Sequence, residues 1–204
     1  MPERAYDFDQ VVIGSGFGGA CSALRLSEKG YRVLLLEKGR RWRDEDFPTT
    51  NWNLKRYLWA PWLGCTGPWQ LTFTPKVLAL HGVGVGGGSL IYANTHLIPP
   101  DEVFQSPPWA RIRPHWKAAL LPFYGLALRM LGVVRNEYRN RADEVLAEVA
   151  AEMGRGATFG TVNSGIYFAA AGQVAADPYF AGAGPPRHPC IYCSGCMVGC
   201  CHNF

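Results

Sequence analysis

These 204 residues contain no long basic run. Twenty Lys and Arg against 16 Asp and Glu give a formal charge of +4 dispersed along the chain, which excludes the cationic stripe that tracks a phosphate backbone. Nucleic acid is therefore set aside as a partner. An uninterrupted apolar stretch of spanning length is also missing. The most apolar window, residues 118–134, is broken by Pro122, Gly125 and Arg129 and reads as a buried or amphipathic helix, so no transmembrane segment is expected. Met1-Pro2-Glu3-Arg4-Ala5-Tyr6-Asp7 lacks the basic start, apolar middle and small-residue cleavage site of an export signal, and a cytoplasmic location is expected. Charged residues are few at 18%, but with 48% hydrophobic residues the composition is that of a globular protein able to bury a core.

What is present begins with glycine. Val11-Val12-Ile13 is a short apolar run that ends in Gly14-Ser15-Gly16-Phe17-Gly18-Gly19; residues 20–29 read as a helix closed by Gly30, and a second apolar run, Val33-Leu34-Leu35-Leu36, ends at Glu37. The order is strand, turn, helix, strand. In such a unit Gly14 permits the tight turn, Gly16 lets a pyrophosphate approach the backbone, and Gly19 lets helix and strand pack closely. Unpaired amides and the positive end of the helix dipole favour the phosphates there. Glu37, eighteen residues beyond Gly19, is placed to accept hydrogen bonds from the adenosine ribose. These residues specify a dinucleotide and leave FAD and NAD equally open.

A second glycine run, Gly82-Val83-Gly84-Val85-Gly86-Gly87-Gly88-Ser89, follows Leu78-Ala79-Leu80-His81 and leads into Leu90-Ile91-Tyr92. A linker would be polar on both sides, whereas apolar flanks mark a backbone that something large approaches closely. Taken together, Gly14 to Gly19, Glu37 and Gly84-Val-Gly-Gly-Gly-Ser89-Leu90 resemble the glucose-methanol-choline oxidoreductases, nearest to their cholesterol oxidase-like branch. The resemblance covers most of the chain and is strongest over residues 9–40 and 82–95.

The resemblance implies an α/β fold: a Rossmann-like FAD-binding βαβ unit with an incomplete sheet over residues 1–100, then the start of an α+β substrate-binding part over 101–189, then a cysteine cluster over 190–204. It implies FAD with its pyrophosphate on Gly14, Gly16, Phe17, Gly18 and Gly19, its ribose on Glu37, and Gly84, Gly86, Gly87, Ser89, Asn94 and Thr95 beside the pyrophosphate and isoalloxazine. Tyr92-Ala93-Asn94-Thr95 departs from the Asn-Gly-Gly-Met order of steroid oxidases, so the expected substrate is a sterol or another apolar alcohol. The implied chemistry is hydride transfer from a CH-OH group to the flavin, with oxygen or a redox partner as electron acceptor.

Between the glycine runs lie Trp42, Trp52, Trp59, Trp62 and Trp69, broken by Pro48, Pro61 and Pro68, so an extended or looped stretch is expected, its aromatics packing the loop onto the core or touching substrate. Apolar residues recur at helical spacing at Trp116, Leu120, Phe123, Ala127 and Leu131 and again over residues 143–153, which predicts two core-facing helices. They carry no acid-base pair or nucleophile. His81, His96, His115, His188 and His202 show no metal or triad spacing.

Five of the seven cysteines fall in the last fifteen residues. Cys190, Cys193, Cys196 and Cys200 have the C-x2-C-x2-C-x3-C spacing of bacterial ferredoxins, which suggests an iron-sulfur cluster relaying electrons from the flavin. The same thiols could be structural, disulfide-paired or redox-reactive without metal. Cys201 stands where those ferredoxins carry proline, and no second run supplies a partner cluster. The chain stops inside this motif, and in the resembled family the catalytic histidine lies near the end of a much longer chain, so an N-terminal fragment, inactive alone, is expected. The rivals are a flavoprotein of another class, for which a second Rossmann fingerprint is wanting, and an FAD-binding or electron-transfer fragment without catalysis.

Overall fold

The computed structural model describes residues 6–170, 172–197 and 200. They divide into two compact units, one of residues 6–93 with 192–197 and 200, the other of residues 94–170 and 172–191.

In the first unit β1 (Gln10–Ile13) and β2 (Val33–Leu36) pair in parallel with Gln10 opposite Val33 and Ile13 opposite Leu36, and α1 (Phe17–Glu28) crosses between them and packs on both. The strand-turn-helix-strand order read from the sequence is thus a βαβ element. The helix ends where Gly30 takes φ +85° and returns its N–H to the Ser27 carbonyl, a left-handed exit that glycine makes without steric cost. Val12 lies towards α1, while Val11 and Ile13 alternate to the opposite face at 56% and 86% exposure. Parallel strands are apolar on both sides because α/β folds cover both; here one face carries the helix.

The tryptophan-rich stretch is more ordered than its prolines suggest. After the single turn α2 (Leu54–Tyr57), β3 (Trp59–Ala60) pairs antiparallel with β4 (Cys65–Thr66), and β5 (Trp69–Phe73) pairs antiparallel with β6 (Leu78–Gly82). Pro61 opens a short 3-10 turn at the β3–β4 connection, a position where its missing N–H costs nothing. Trp69 is 5% exposed and stacks on Tyr57 at 5.2 Å, whereas Trp52 and Trp62 are 88% and 77% exposed. Core packing therefore accounts for only part of the aromatic set.

The second unit contains α3 (Asp101–Gln105), α4 (Pro107–Ala110), α5 (Trp116–Met130) and α6 (Arg141–Glu152), with β7 (Val134–Arg135) antiparallel to β8 (Asn163–Ser164). Asn140 caps α6 by accepting from the Ala142 and Asp143 amides, and Asp143 returns a bond to the Asn140 N–H, a reciprocal box that satisfies the orphan donors of the first turn. Both predicted helices form, but neither is core-facing: no residue of α5 or α6 is buried, and Phe123 on the predicted stripe of α5 is 65% exposed. Helical periodicity reports that a face is apolar and is silent on what covers it. No helix among the described residues is long and apolar enough to cross a membrane.

Candidate dinucleotide site

The first glycine turn leaves β1 with Gly14 at φ +92°, its N–H bonded to the Leu36 carbonyl at 2.7 Å. Gly16 caps α1 without any side-chain acceptor, so the amides of the first helical turn point outward uncapped at the positive end of the dipole. A Cβ on Gly19 would stand 1.8 Å from the Gly14 carbonyl oxygen. Only glycine lets the helix pass that close to the strand end.

Ser15 lies between these glycines, 3% exposed. Its N–H and its hydroxyl donate to Oε2 of Glu37 at 2.9 and 2.7 Å, and its Oγ accepts the Gly86 N–H at 3.1 Å. Gly39 donates its N–H to Oε1 of Glu37 at 2.9 Å. Burial raises the pKa of Glu37, but the amides of Gly39, Ser15 and Lys38 and the Ser15 hydroxyl outweigh it and hold the carboxyl below its ordinary value. The group is therefore an anion at neutral pH. Oε2 accepts two bonds from Ser15, and Oε1 accepts the one from Gly39.

The second glycine run folds back onto the first. Gly84, Gly86 and Gly87 all take positive φ, at +139°, +107° and +55°. A Cβ on Gly87 would come within 2.8 Å of the Gly16 Cα, one on Gly39 within 2.4 Å of the Gly84 nitrogen, and one on Gly82 within 2.0 Å of the Gly87 carbonyl oxygen. Backbone is pressed on backbone at each place. Trp42 donates its indole N–H to the Val83 carbonyl at 2.8 Å, and Val85 donates to the Arg40 carbonyl at 3.0 Å. Phe17 reaches over Gly88, its ring meeting Tyr92 edge-on at 5.2 Å. Beside the run is a pocket of about 390 Å³ lined by Leu80, His81, Gly82, Gly88, Ile91 and Tyr92.

Of the residues singled out in the sequence, Gly14, Gly16, Phe17, Gly18, Gly19, Glu37, Gly84, Gly86, Gly87 and Ser89 all belong to the first unit, with Ser89 exposed and its hydroxyl turned to the Gly86 carbonyl at 3.0 Å. Asn94 and Thr95 belong to the second, where Asn94 accepts the Gly165 N–H at 2.9 Å and Thr95 bridges to Ser164. Sequence reasoning missed Ser15, Gly39, Gly82 and Trp42. Ser15 carried one signal: it is the only hydroxyl within the glycine turn, where no other side chain can form a hydrogen bond.

Relatives sharpen this geometry. A family model described as an NAD(P)-binding Rossmann-like domain matches residues 12–42, the βαβ element with Glu37. A cholesterol oxidase of Mycobacterium tuberculosis is 49% identical over 202 residues, which is 97% of this chain and 35% of that protein. A cholesterol oxidase of Acinetobacter baumannii is 43% identical over 207 residues, 100% of this chain and 37% of that protein, and an uncharacterized GMC-type oxidoreductase of M. tuberculosis is 37% identical over 91 residues, 45% of this chain and 14% of that protein. The chain belongs to the cholesterol oxidase-like glucose-methanol-choline oxidoreductases. It spans about a third of the length of these cholesterol oxidases. Membership in the glucose-methanol-choline family implies FAD, which neither the βαβ element nor Glu37 could distinguish from NAD. The uncapped α1 terminus, the backbone left bare by glycine and the anionic Glu37 fit the pyrophosphate and ribose of that cofactor.

Cys190 falls in the second unit and Cys193, Cys196 and Cys200 in the first; Cys201 and His202 lie outside the described residues. Among the described residues no three His, Cys, Asp or Glu side chains form a group that could hold a metal ion.

Proposed function

We propose that this chain builds the adenosine and pyrophosphate part of the FAD site of an oxidoreductase acting on the CH-OH group of a sterol or other alcohol. The observation that carries the reading is the convergence on Ser15 of the first glycine turn, Glu37 and the second glycine run. In this reading the amides of Gly16 to Gly19 hold the pyrophosphate and Glu37 accepts from the ribose. Gly84, Gly86 and Gly87 keep side chains out of the cofactor's path, Ser89 stands beside them, and Asn94 and Thr95 enter on family resemblance. FAD, when bound, supplies the hydride acceptor. The relatives' names support a sterol or alcohol donor and oxygen as electron acceptor, and their greater length supports a chain that binds FAD without oxidising an alcohol by itself.

Titration of the purified chain with FAD and, separately, with NAD, followed by calorimetry, tests this. FAD is expected to bind one to one and NAD to leave no heat; Glu37→Gln should weaken FAD about tenfold, the scale of one hydrogen bond to a charged group. Binding of NAD in preference to FAD would reverse the reading. The ferredoxin-like spacing of Cys190, Cys193, Cys196 and Cys200 is the sole support for an iron-sulfur cluster that passes electrons to an acceptor, and the described residues assemble no metal-holding group. Iron and acid-labile sulfide analysis after anaerobic reconstitution should then give stoichiometric amounts that fall on Cys193→Ser; none in the reconstituted wild type removes the cluster.

A further inference from the structure

We infer that Ser15 is a positioning residue that latches Glu37 and the second glycine run to one another, so that the ribose-binding carboxylate and the glycine-lined wall move as one body. The bearing of this latch on cofactor affinity rests on the FAD reading above, whereas the latch itself does not.

The hydroxyl is the only side-chain group in the turn with both a donor and an acceptor function, and both are used. Its proton goes to Oε2 of Glu37 at 2.7 Å, and its lone pair takes the Gly86 N–H at 3.1 Å. The partners lie 22 and 71 residues away, so no local turn preference can replace the link. The site is 3% exposed, which keeps water from substituting for either bond and makes an orphaned Gly86 N–H costly. Gly86 sits at φ +107°, flanked by Gly84 at +139° and Gly87 at +55°. Such a backbone has no side-chain packing of its own to hold its conformation. The Ser15 bond to Gly86 is a side-chain anchor inside that stretch, and the Ser15 bond to Glu37 fixes the orientation of the carboxylate. The hydroxyl's donation is also one of the bonds that hold the Glu37 carboxyl below its ordinary value.

The test uses the 204-residue chain and two readouts. Amide hydrogen exchange without FAD should show Gly86 exchanging about ten times faster in Ser15→Ala, with β1 and β2 protected as in wild type. FAD affinity should fall about tenfold in Ser15→Ala but less than about threefold when the substitution is made in Glu37→Gln, because coupled groups lose their shared energy only once. Ser15→Cys, close in size but a weak hydrogen-bonding group, should give the same faster exchange at Gly86 and covers the case in which the alanine variant fails to fold. Wild-type exchange at Gly86 in both variants overturns the latch. Equal affinity losses in both backgrounds overturn its route through Glu37. A wild-type chain that ignores FAD removes the proposed function instead and leaves the latch to be judged on exchange.

Discussion

Glu37 and Asp177 each accept from several backbone amides, and they are held for different ends. Asp177, in the second unit, accepts from the amides of Tyr179, Phe180, Gly182 and Gly184 at 2.9 to 3.0 Å, all within seven residues. Burial raises its pKa, but those four amides outweigh it and the carboxyl sits below its ordinary value. Both oxygens are occupied by the loop that Asp177 organises, so it shapes a local turn and has little left for a ligand. Glu37 takes its Ser15 donors from 22 residues away and its Gly39 donor from two, so it ties a distant turn to its own strand end. An anion whose donors are all nearby shapes one loop; one that also draws donors from a distant turn joins two elements.

Three experiments bear on that contrast. The largest effect is expected from Gly19→Val, whose side chain would drive into the Gly14 carbonyl. Loss of about 3 kcal/mol or more, on the scale of backbone-clash substitutions, should appear in urea unfolding of the first unit together with loss of FAD binding. Wild-type affinity would mean that the close approach of α1 does not shape the site. Next comes Asp177→Ala, which should make the 178–184 segment a preferred cleavage point in limited proteolysis while FAD affinity stays within about twofold, since that carboxylate's bonds go to its own loop. A large change in affinity would break the distinction between the two anions. The smallest effect is the acid response. Because both folded pKa values are depressed, each carboxylate's stabilisation is complete at neutral pH and is lost as pH falls through its folded value, fading first below the ordinary 4.5 for Glu37 and then below 3.8 for Asp177. Carboxyl NMR titration should find both midpoints below those ordinary values.

The βαβ element was legible residue by residue, because a run of β-branched and leucine residues, a glycine turn and an acidic strand end are all local signals. β2 was read at Val33–Leu36 and forms there; β1 begins one residue earlier than its apolar run, at Gln10. The α1 start was read three residues late, since Phe17-Gly18-Gly19 has weak helix propensity and is carried into the helix by its packing at the strand end. The β3–β4 and β5–β6 hairpins were read no further than extended or looped chain, because proline frequency obscured short strands whose pairing is antiparallel and edge-like. Asp177 went unnoticed although Asp-Pro followed by two spaced glycines is itself a turn signature.

By itself the sequence determined the chemistry of the backbone: where side chains are absent at Gly14, Gly16, Gly18 and Gly19 and at Gly84, Gly86, Gly87 and Gly88, and where an acid closes the second strand. Those are properties of single residues and their spacing, and they survive without knowledge of any contact. Only the tertiary structure decided that Ser15 is the point where both glycine runs and Glu37 meet, and that α5 and α6 leave their apolar faces exposed. Both outcomes depend on partners far away in the chain, and the closure of long segments is set by the whole packing and not by any local pattern.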